Sequence, residues 1–278
     1  MYGFLEQTVE CRQRKSKNIV YFSNAFVTKY QGQELINHFN KPSILAIIPA
    51  RGGSKRLPRK NILNLRGKPL LVHTILAASH CDLITDVVVS TEDDLICDIA
   101  LDARVSVINR PLELAGDKVS NEFVVKHVIE TFSETNYFPD YIVLLQPTSP
   151  LRTDLHLQQC LAQFLASEMK SVMSVCKVEH HPGKCVRIKD NEVLPFTCIE
   201  DVEKRTQDLE EVYRQNGAIY ALKTTDFLEQ LKFYQSPCLP YVMSMEDSID
   251  VDNKLDLQFC EFLLSEKEKH DKVNNHVC

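Results

Sequence analysis

The sequence predicts an α/β fold with a doubly wound, mostly parallel sheet. Short apolar runs alternate with segments at helical spacing over residues 44–168, and polar or proline-containing turns separate them. Strands that alternate with helices in this way form βαβ units, in which helices cover both faces of a parallel sheet. The chain has 278 residues, of which 44% are hydrophobic and 25% are charged. This ordinary globular composition excludes a disordered or coiled-coil protein.

Individual elements have their own signals. The run at 44–48 is apolar throughout and ends at Pro49, which favours a strand buried on both faces. Asp93 and Asp94 fall in the first turn of a predicted helix, where carboxylates stabilise the helix dipole. Asn121 is the expected N-cap of another helix. In chain order we predict a strand over 44–48, a helix over 70–80, a strand over 86–91, a helix over 92–103, a strand over 105–109, a helix over 121–134, a strand over 141–145 and a helix over 153–168.

The remainder of the chain alternates less regularly. We predict strands over 171–178, 183–189 and 216–222, with longer connections, and a closing helix over 254–269. The expected organisation is a polar extension over 1–42, a main domain over 43–270 with a small projecting lobe within about 179–245, and a tail over 271–278.

Charge and cysteine content exclude several classes of protein. The chain has 38 acidic and 32 basic residues, and its net charge of −6 opposes binding to nucleic acid. No apolar run is long enough to cross a bilayer, so we expect no membrane partner. The ten cysteines include no CxxC pair, which excludes zinc-ribbon and thioredoxin-type sites. Scattered single cysteines are typical of the reduced thiols of a cytoplasmic or nuclear protein.

The segment PARGGSKRLPRKN at 49–61 is predicted to form an anion-binding loop. It follows a buried strand and contains Gly52, Gly53 and five cationic side chains. Glycines allow backbone N–H groups to turn toward an anion, and lysine or arginine neutralises phosphate oxygens. The segment contains neither the GxxxxGK[ST] nor the GxGxxG motif. The alternative is a solvated basic loop without a ligand.

Asp250 and Asp252 form a candidate metal site. They are two residues apart in SIDVD, and in an extended segment such residues lie on the same side. Both carboxylates can therefore face one Mg²⁺ ion, which prefers one or two carboxylates together with substrate oxygens and water. The alternative is a pair of exposed acids at a turn.

The segment IPARGGSKRLPRKNI resembles the opening motif of the CMP-sialic acid synthetases, the N-acylneuraminate cytidylyltransferases. Four further segments resemble this family in the same order, namely RPLELAGDKVSN, LLQPTSPLR, RTQDLEEVYRQNGAIY and SIDVDNKLDL, so the resemblance covers roughly residues 44–265. It implies the Rossmann-like fold of nucleotide-diphospho-sugar transferases and a homodimer formed through the small lobe. The implied reaction joins CTP to a nine-carbon keto-acid sugar, with release of pyrophosphate.

The resemblance also implies roles for individual residues. The residues implied in nucleotide binding are Arg51, Gly52, Gly53, Ser54, Lys60, Asn61, Arg110, Ser120 and Asn121. Those implied in sugar binding are Gln146, Lys184, Arg205, Gln207, Asn216, Tyr220, Phe233 and Tyr234. Those implied in catalysis are Arg51, Lys60, Asp250 and Asp252, and the last two would be ligands of Mg²⁺ or Mn²⁺.

Several alternatives stay open within this interpretation. Asn121 is either a helix cap or a contact to the base, and Phe233 and Tyr234 either pack on the sugar or fill the core. Thr206 and Glu210 depart from the family, in which arginine and proline are frequent at these positions. The sugar could instead be legionaminic acid, pseudaminic acid or KDO. An alternative that is not an enzyme is a catalytically silent nucleotide-binding protein with the same fold. Some relatives are nuclear and others lie in the secretory pathway, so we expect a cytoplasmic or nuclear location and leave the secretory pathway open.

Overall fold

The computed structural model describes residues 20–21 and 41–274. The predicted polar extension over 1–42 and the end of the tail lie almost wholly outside these residues. The strands are β1 (Val20–Tyr21), β2 (Ile44–Pro49), β3 (Asn64–Leu65), β4 (Lys68–Pro69), β5 (Asp86–Thr91), β6 (Ser106–Asn109), β7 (Tyr141–Leu144), β8 (Ser171–Lys177), β9 (Val186–Lys189), β10 (Glu192–Pro195), β11 (Tyr213–Lys223) and β12 (Cys238–Val242). The α-helices are α1 (Leu70–Ser79), α2 (Asp94–Asp102), α3 (Asn121–Ser133), α4 (Asp154–Leu165), α5 (Ile199–Glu203), α6 (Thr224–Gln230) and α7 (Lys254–Asn274).

Eight strands form one mixed sheet in the order β1-β6-β5-β2-β7-β11-β8-β12. Strands β6, β5, β2 and β7 are parallel to one another, and β8 is parallel to β12. Strand β11 runs antiparallel to both of its neighbours, β7 and β8, and β1 is antiparallel to β6 at the edge. The prediction of a mostly parallel α/β sheet is therefore confirmed.

The central strand β2 shows why the sheet is covered on both faces. Its residues from Ile44 to Ile48 are buried, and alternate side chains point to opposite sides, as in any strand. Ala46 and Ile48 belong to the core that includes α1 and α4, whereas Leu45 and Ile47 belong to the core formed with α3. A smaller core joins β3 to the start of α7 around Val251 and Cys260. No α-helix in the described part of the chain is long and apolar enough to span a bilayer.

One predicted helix start and one predicted N-cap need correction. Asp93 precedes α2 instead of lying within its first turn, and its carboxylate accepts hydrogen bonds from the N–H groups of Leu95 and Ile96, at 3.0 and 3.1 Å. The predicted N-cap Asn121 was wrong, because the cap position is Ser120, whose backbone is extended. Asn121 is already helical, so its side chain is not used as a cap.

The predicted strand over 183–189 begins later than expected. Pro182–Lys184 form a 3-10 turn, in which His181 Nδ1 accepts the Gly183 N–H at 2.9 Å. Proline fixes φ at a value that suits such a turn and removes one donor of a ladder. Strand β10, whose residues are mostly exposed and which pairs only with β9, was not predicted.

The segment over 178–212 lies outside the main sheet, and we call it the lobe. It contains the β9–β10 hairpin and α5, and several of its apolar side chains are exposed, including Ile188 at 79% and Val193 at 67%. The predicted lobe range extended to about 245, but β11 and β12 within that range are strands of the main sheet. A role of the lobe in dimerisation stays a prediction.

Candidate active site

The candidate site lies at the carboxyl ends of β2, β5, β6 and β7, where ligands bind in open α/β sheets. Backbone hydrogen bonds connect the segments that follow these strands, from Ala50 N to Ser90 O at 3.0 Å and from Arg110 N to Thr91 O at 2.8 Å. They border a cleft of about 480 Å³, which we call the phosphate cleft. The predicted site residues that line it are Arg51, Gly53, Ser54, Lys60, Asn61, Arg110, Asn121, Gln146 and Asp252.

Gly52 is required by a close approach of two loops. A Cβ atom at this position would lie 2.3 Å from Asp93 Oδ2, which is far closer than atoms can pack. The Gly52 N–H is donated to Glu92 Oε1 at 2.8 Å, so this amide does not face an anion in the cleft. Gly53 is different, because a Cβ atom there would meet nothing within 4 Å. The loop thus needs Gly52 for packing against the segment after β5.

Three cationic side chains of the loop extend beyond its backbone to acidic residues elsewhere. Arg56 and Lys60 both contact Asp252, at 2.6 and 3.1 Å. Arg59, whose backbone is left-handed with φ at 53°, lies 3.3 Å from Asp93. The side chain of Lys60 is mostly buried whereas that of Arg56 is exposed. Lys60 is therefore the better placed of the two to act inside the cleft.

Arg51 and Lys55 share a second acidic partner, Asp117. Arg51 lies 2.5 Å from one oxygen of its carboxylate and Lys55 lies 2.7 Å from the other. Hydrogen bonds from Lys55 and Arg51 hold the pKa of Asp117 below its ordinary value. Asn61 supports this end of the loop by donating to the carbonyl oxygen of Arg51 at 2.9 Å. The cations predicted to neutralise phosphate are thus held by carboxylates in this structure.

Arg110 contributes a buried positive charge to the wall of the cleft. It is 4% exposed and donates to the carbonyl and hydroxyl oxygens of Ser90, at 2.6 and 3.3 Å. Burial lowers the pKa of Arg110 to about 10, and the nearby Glu92 opposes this shift. One carboxylate oxygen of Glu92 is buried and has no hydrogen-bond partner among the described residues. Arg110 therefore keeps a positive charge in the cleft wall. Among the described residues, its side-chain hydrogen bonds go to Ser90 and not to a carboxylate.

The two candidate metal ligands lie just before α7, and Asp252 lines the phosphate cleft whereas Asp250 does not. Val251, between them, is fully buried and donates its N–H to Thr148 O at 2.8 Å, while Asp256 accepts the N–H of Asp252 at 2.8 Å. Asp250 is exposed to solvent. Neighbouring protein atoms nevertheless displace part of the water around its carboxylate, and this desolvation raises its pKa. Asp252 raises the Asp250 pKa further, and a hydrogen bond from Thr148 opposes the shift. The two carboxylates are thus close enough to repel each other.

This donor set suits a hard divalent cation that also binds substrate. Two carboxylates beside a cationic cleft leave coordination positions for phosphate oxygens and water, which is the arrangement that Mg²⁺ prefers. Among the described residues, no cluster of three or more histidine, cysteine or acidic side chains could hold a metal alone. The pair therefore fits an ion whose coordination is completed by a ligand.

A second cavity of about 540 Å³ adjoins the phosphate cleft, and we call it the aromatic cavity. Gln146 and Asn121 line both cavities. The ring centroids of Tyr220 and Phe233 are 5.8 Å apart in this cavity. The predicted residues that line it are Ser120, Asn121, Gln146, Tyr220, Phe233 and Tyr234, and they are joined by Glu122, Gln215 and Lys232.

Asn216 is close to the aromatic cavity but does not line it. It is buried, its Oδ1 accepts from the Ser174 hydroxyl at 2.6 Å, and its Nδ2 donates to the Ser248 hydroxyl at 2.9 Å. The next residue, Gly217, has φ at 75°, a left-handed backbone conformation that favours glycine. Asn216 therefore connects β11 to β8 and to the segment before the aspartates, and its contact to sugar stays a prediction.

Three predicted sugar-binding residues lie on the lobe, and none of them lines either cavity of the same chain. The Lys184 ammonium donates to the carbonyl oxygens of Val202, at 2.8 Å, and Lys204. Arg205 is exposed and forms a two-pronged ion pair with Asp208, at 2.7 and 3.1 Å. Gln207 is exposed as well. The structure of one chain does not bring these residues to the site.

Sequence reasoning missed Arg152, which is 2% exposed and organises the turn after β7. It donates to Ala218 O and Thr74 Oγ1, both at 2.7 Å, and to Gln146 O at 3.3 Å. Burial lowers the pKa of Arg152 to about 9. Its signal was present as the cation that ends LLQPTSPLR. Asp117 and Glu92 were also missed, and no spacing pattern links either of them to the 51–61 loop.

Comparison with known proteins assigns the chain to a family. The sequence profile of a family described as cytidylyltransferase matches residues 45–236. An N-acylneuraminate cytidylyltransferase of Streptococcus agalactiae is 34% identical over 232 residues, which are 81% of this chain and 55% of the relative. The chain thus spans about half the length of the curated neuraminate relatives it matches.

Shorter relatives and a solved structure match over nearly their whole length. A CMP-N,N'-diacetyllegionaminic acid synthase of Legionella pneumophila is 36% identical, and the match covers 80% of this chain and 96% of the relative. A pseudaminic acid cytidylyltransferase of Campylobacter jejuni is 30% identical over 95% of its length. The structure of a CMP:2-keto-3-deoxy-manno-octonic acid synthetase with CTP shares the fold, with a TM-score of 0.60 at 17% identity over 81% of this chain and 99% of the other. The chain therefore belongs to the cytidylyltransferase family.

Proposed function

We propose that this protein transfers the cytidylyl group of CTP to an N-acylneuraminate, giving CMP-N-acylneuraminate and pyrophosphate. The observation that carries the proposal is the shared cleft: the cationic loop over 51–61 and Asp252 face each other at the carboxyl end of the sheet. A triphosphate needs cations, and an ion that bridges its oxygens needs carboxylates. The adjoining aromatic cavity offers apolar rings and amide groups to a sugar.

In the proposed reaction, the anomeric hydroxyl oxygen attacks the α-phosphorus of CTP in line. The new P–O bond forms as the bond to the bridging α–β oxygen breaks, pyrophosphate takes that electron pair, and the hydroxyl proton leaves to solvent. Transfer of this kind depends mostly on positioning and charge neutralisation. Arg51 and Lys60 neutralise the phosphates, and Arg110 keeps a positive charge at the cleft wall.

Asp250 and Asp252 would hold Mg²⁺ or Mn²⁺ in this proposal. The ion supplies charge neutralisation and orientation of phosphate oxygens when bound. Asp252 contacts Lys60 and Arg56, and both cations would be free to contact phosphate if the carboxylate held the ion.

N,N'-diacetyllegionaminic acid is the second candidate substrate. The legionaminic relative is 36% identical and is matched over 96% of its length, whereas the neuraminate relative is matched over 55% of its length. Both sugars are keto acids of similar size, so the same cleft and cavity would accept either one. The choice between them depends on the N-acyl contacts in the aromatic cavity.

A homodimer would place the lobe against the partner subunit. Lys184 and Arg205 lie outside the cavities of their own chain, while the lobe exposes Ile188, Val193 and Phe196. Exposed apolar clusters of this kind are typical of interaction surfaces. Light scattering should give twice the monomer mass, and a monomer at micromolar concentration would refute the dimer.

The test of the function is pyrophosphate release with purified protein, CTP and Mg²⁺. N-acetylneuraminate, diacetyllegionaminate, pseudaminate and KDO are compared in parallel with a reaction that lacks sugar. We expect the highest kcat/KM with N-acetylneuraminate. Preference for diacetyllegionaminate would select the second candidate, and no release with any sugar by a protein that binds CTP would favour the catalytically silent alternative.

A further inference from the structure

We propose that Asp117 is a displaceable counter-ion of the phosphate cleft. Its carboxylate bridges Arg51 and Lys55, and phosphate that enters the cleft displaces it from them. The proposal rests on the proposed function, because it assumes that the cleft binds a nucleotide. Asp117 is then a positioning residue that sets how tightly phosphate is bound, and not a residue that contacts the reacting atoms.

The contacts place the Asp117 carboxylate where an anionic ligand is expected. One oxygen accepts from Arg51 at 2.5 Å and the other lies 2.7 Å from Lys55, so the carboxylate bridges two cations of the loop as a phosphate does. Asp117 itself lines the phosphate cleft together with both cations. A phosphate group that binds Arg51 and Lys55 must therefore displace this carboxylate or share its partners.

The segment that carries Asp117 is attached in a way that permits displacement. In the described part of the chain, backbone hydrogen bonds of this segment form local turns, from Leu114 N to Pro111 O, Ala115 N to Leu112 O and Val119 N to Gly116 O. Asp117 is exposed and does not lie in a helix or strand. Its two ion pairs to the 51–61 loop are thus contacts that can be exchanged for solvent without breaking the sheet.

Asp252 provides the contrast within the same cleft. It also bridges two cations, Arg56 and Lys60, but its backbone N–H is held by Asp256 and its neighbour Val251 is buried. Asp252 is fixed beside the buried end of the loop, whereas Asp117 lies on a segment of local turns. Removal of the two carboxylates should therefore have opposite effects, with loss of function for Asp252 and tighter phosphate binding for Asp117.

The expected effect of Asp117→Asn depends on the charge of the ligand. Without the carboxylate, phosphate no longer competes for Arg51 and Lys55 and no longer meets a repelling charge. Exchange of partly exposed ion pairs changes affinity by about three- to tenfold. We expect the Kd for CTP and for inorganic pyrophosphate to fall by about this factor, the Kd for CMP to fall less, and the Kd for cytidine to stay unchanged.

The experiment is calorimetric titration of the full chain with CTP, CMP, cytidine and inorganic pyrophosphate at fixed Mg²⁺ and salt. Asp117→Asn is compared with Asp117→Glu, which keeps the negative charge of the wild-type side chain, and with Glu113→Gln. Glu113 is an exposed acid of the same segment that forms no ion pair with the loop within the described residues. The Glu113 variant removes the same charge, and we expect it to change the Kd for CTP by less than about twofold.

Weaker binding of CTP by Asp117→Asn would overturn the proposal, since it would make the carboxylate a ligand of the bound ion or a fixed support of Arg51. An equal change for CTP and cytidine would overturn it as well, because it would reflect structure and not charge. Failure of the wild-type protein to bind either CTP or pyrophosphate would instead refute the proposed function. The two failures are therefore distinguishable in one set of titrations.

Discussion

The phosphate cleft and the lobe differ in how far one chain completes them. In the cleft, each cation of the 51–61 loop has an acidic partner within 3.3 Å, and the aspartate segment is fixed by a buried valine. On the lobe, the polar partners of the predicted sugar-binding cations among the described residues belong to the lobe itself, and apolar side chains face solvent. In our proposal, nucleotide binding would therefore need one chain, whereas sugar contacts from the lobe would need a partner subunit.

The largest expected effect is in the cleft and concerns Asp252. Asp252→Asn keeps the size of the side chain but removes the charge that faces Lys60 and would hold the ion. We expect kcat to fall on the order of 10²–10³-fold, as for loss of one preorganised electrostatic group in other enzymes. The rate of pyrophosphate release measures the effect. Asp256→Asn is a poor control, because Asp256 accepts a hydrogen bond from the backbone of Asp252 itself. Asp226→Asn, on α6, is the matched control. An unchanged kcat in Asp252→Asn would show that Asp252 does not take part in catalysis.

The next effect concerns the buried Arg152. Arg152→Met fills a similar volume but leaves Ala218 O and Thr74 Oγ1 without their donor. Loss of hydrogen bonds from a buried charged group should lower the free energy of unfolding by about 2–4 kcal/mol. Urea denaturation measures it. An equally stable variant would mean that burial of the charge already cancels these bonds, as happens in some buried ion pairs.

A smaller effect is expected at Gly52, the first of the two glycines of the loop. Gly52→Ala places a Cβ atom 2.3 Å from Asp93 Oδ2 and must move one of the two loops. We expect a loss of about 1–3 kcal/mol in stability, together with weaker binding of CTP. Gly53→Ala is the matched control, because its Cβ atom meets nothing within 4 Å. Equal stability and equal CTP affinity of the two variants would contradict the packing role of Gly52.

The smallest effect is expected on the lobe. Arg205→Ala breaks an exposed ion pair with Asp208, and such pairs contribute little to stability. We expect no measurable change in the thermal midpoint or in the Kd for CTP, and a higher KM for the sugar if the partner subunit uses this arginine. A weaker affinity for CTP would show that the lobe contacts the nucleotide side, and the contrast between the two regions would be lost.

The sequence predicted the centre of the molecule better than its edges. Strand β2 was found because its residues are apolar on both faces, and Asp86–Thr91 was predicted with its exact bounds. Strand β10 was missed because most of its residues face solvent and carry no alternating pattern. The N-cap of α3 was misplaced by one residue because Ser120 and Asn121 are both good cap residues, although the helix does begin at the predicted residue.

The candidate site was predictable where residues are close in sequence or belong to a recognised motif. The cationic loop and Asp252 were predicted and lie in one cleft. The partners of the cations could not be predicted, because Asp117 is 66 residues from Arg51 in sequence and only the fold brings them together. The lobe residues Lys184, Arg205 and Gln207 were predicted from family resemblance alone. In one chain they line neither the phosphate cleft nor the aromatic cavity.

The most direct test is a crystal structure of the protein with CTP and Mg²⁺. The account predicts that the triphosphate lies in the phosphate cleft between Arg51 and Lys60, with an ion bound by Asp250 and Asp252 and with the cytosine toward Asn121. Density for CTP on another surface, or a triphosphate more than a contact distance from both the loop and the aspartates, would contradict it.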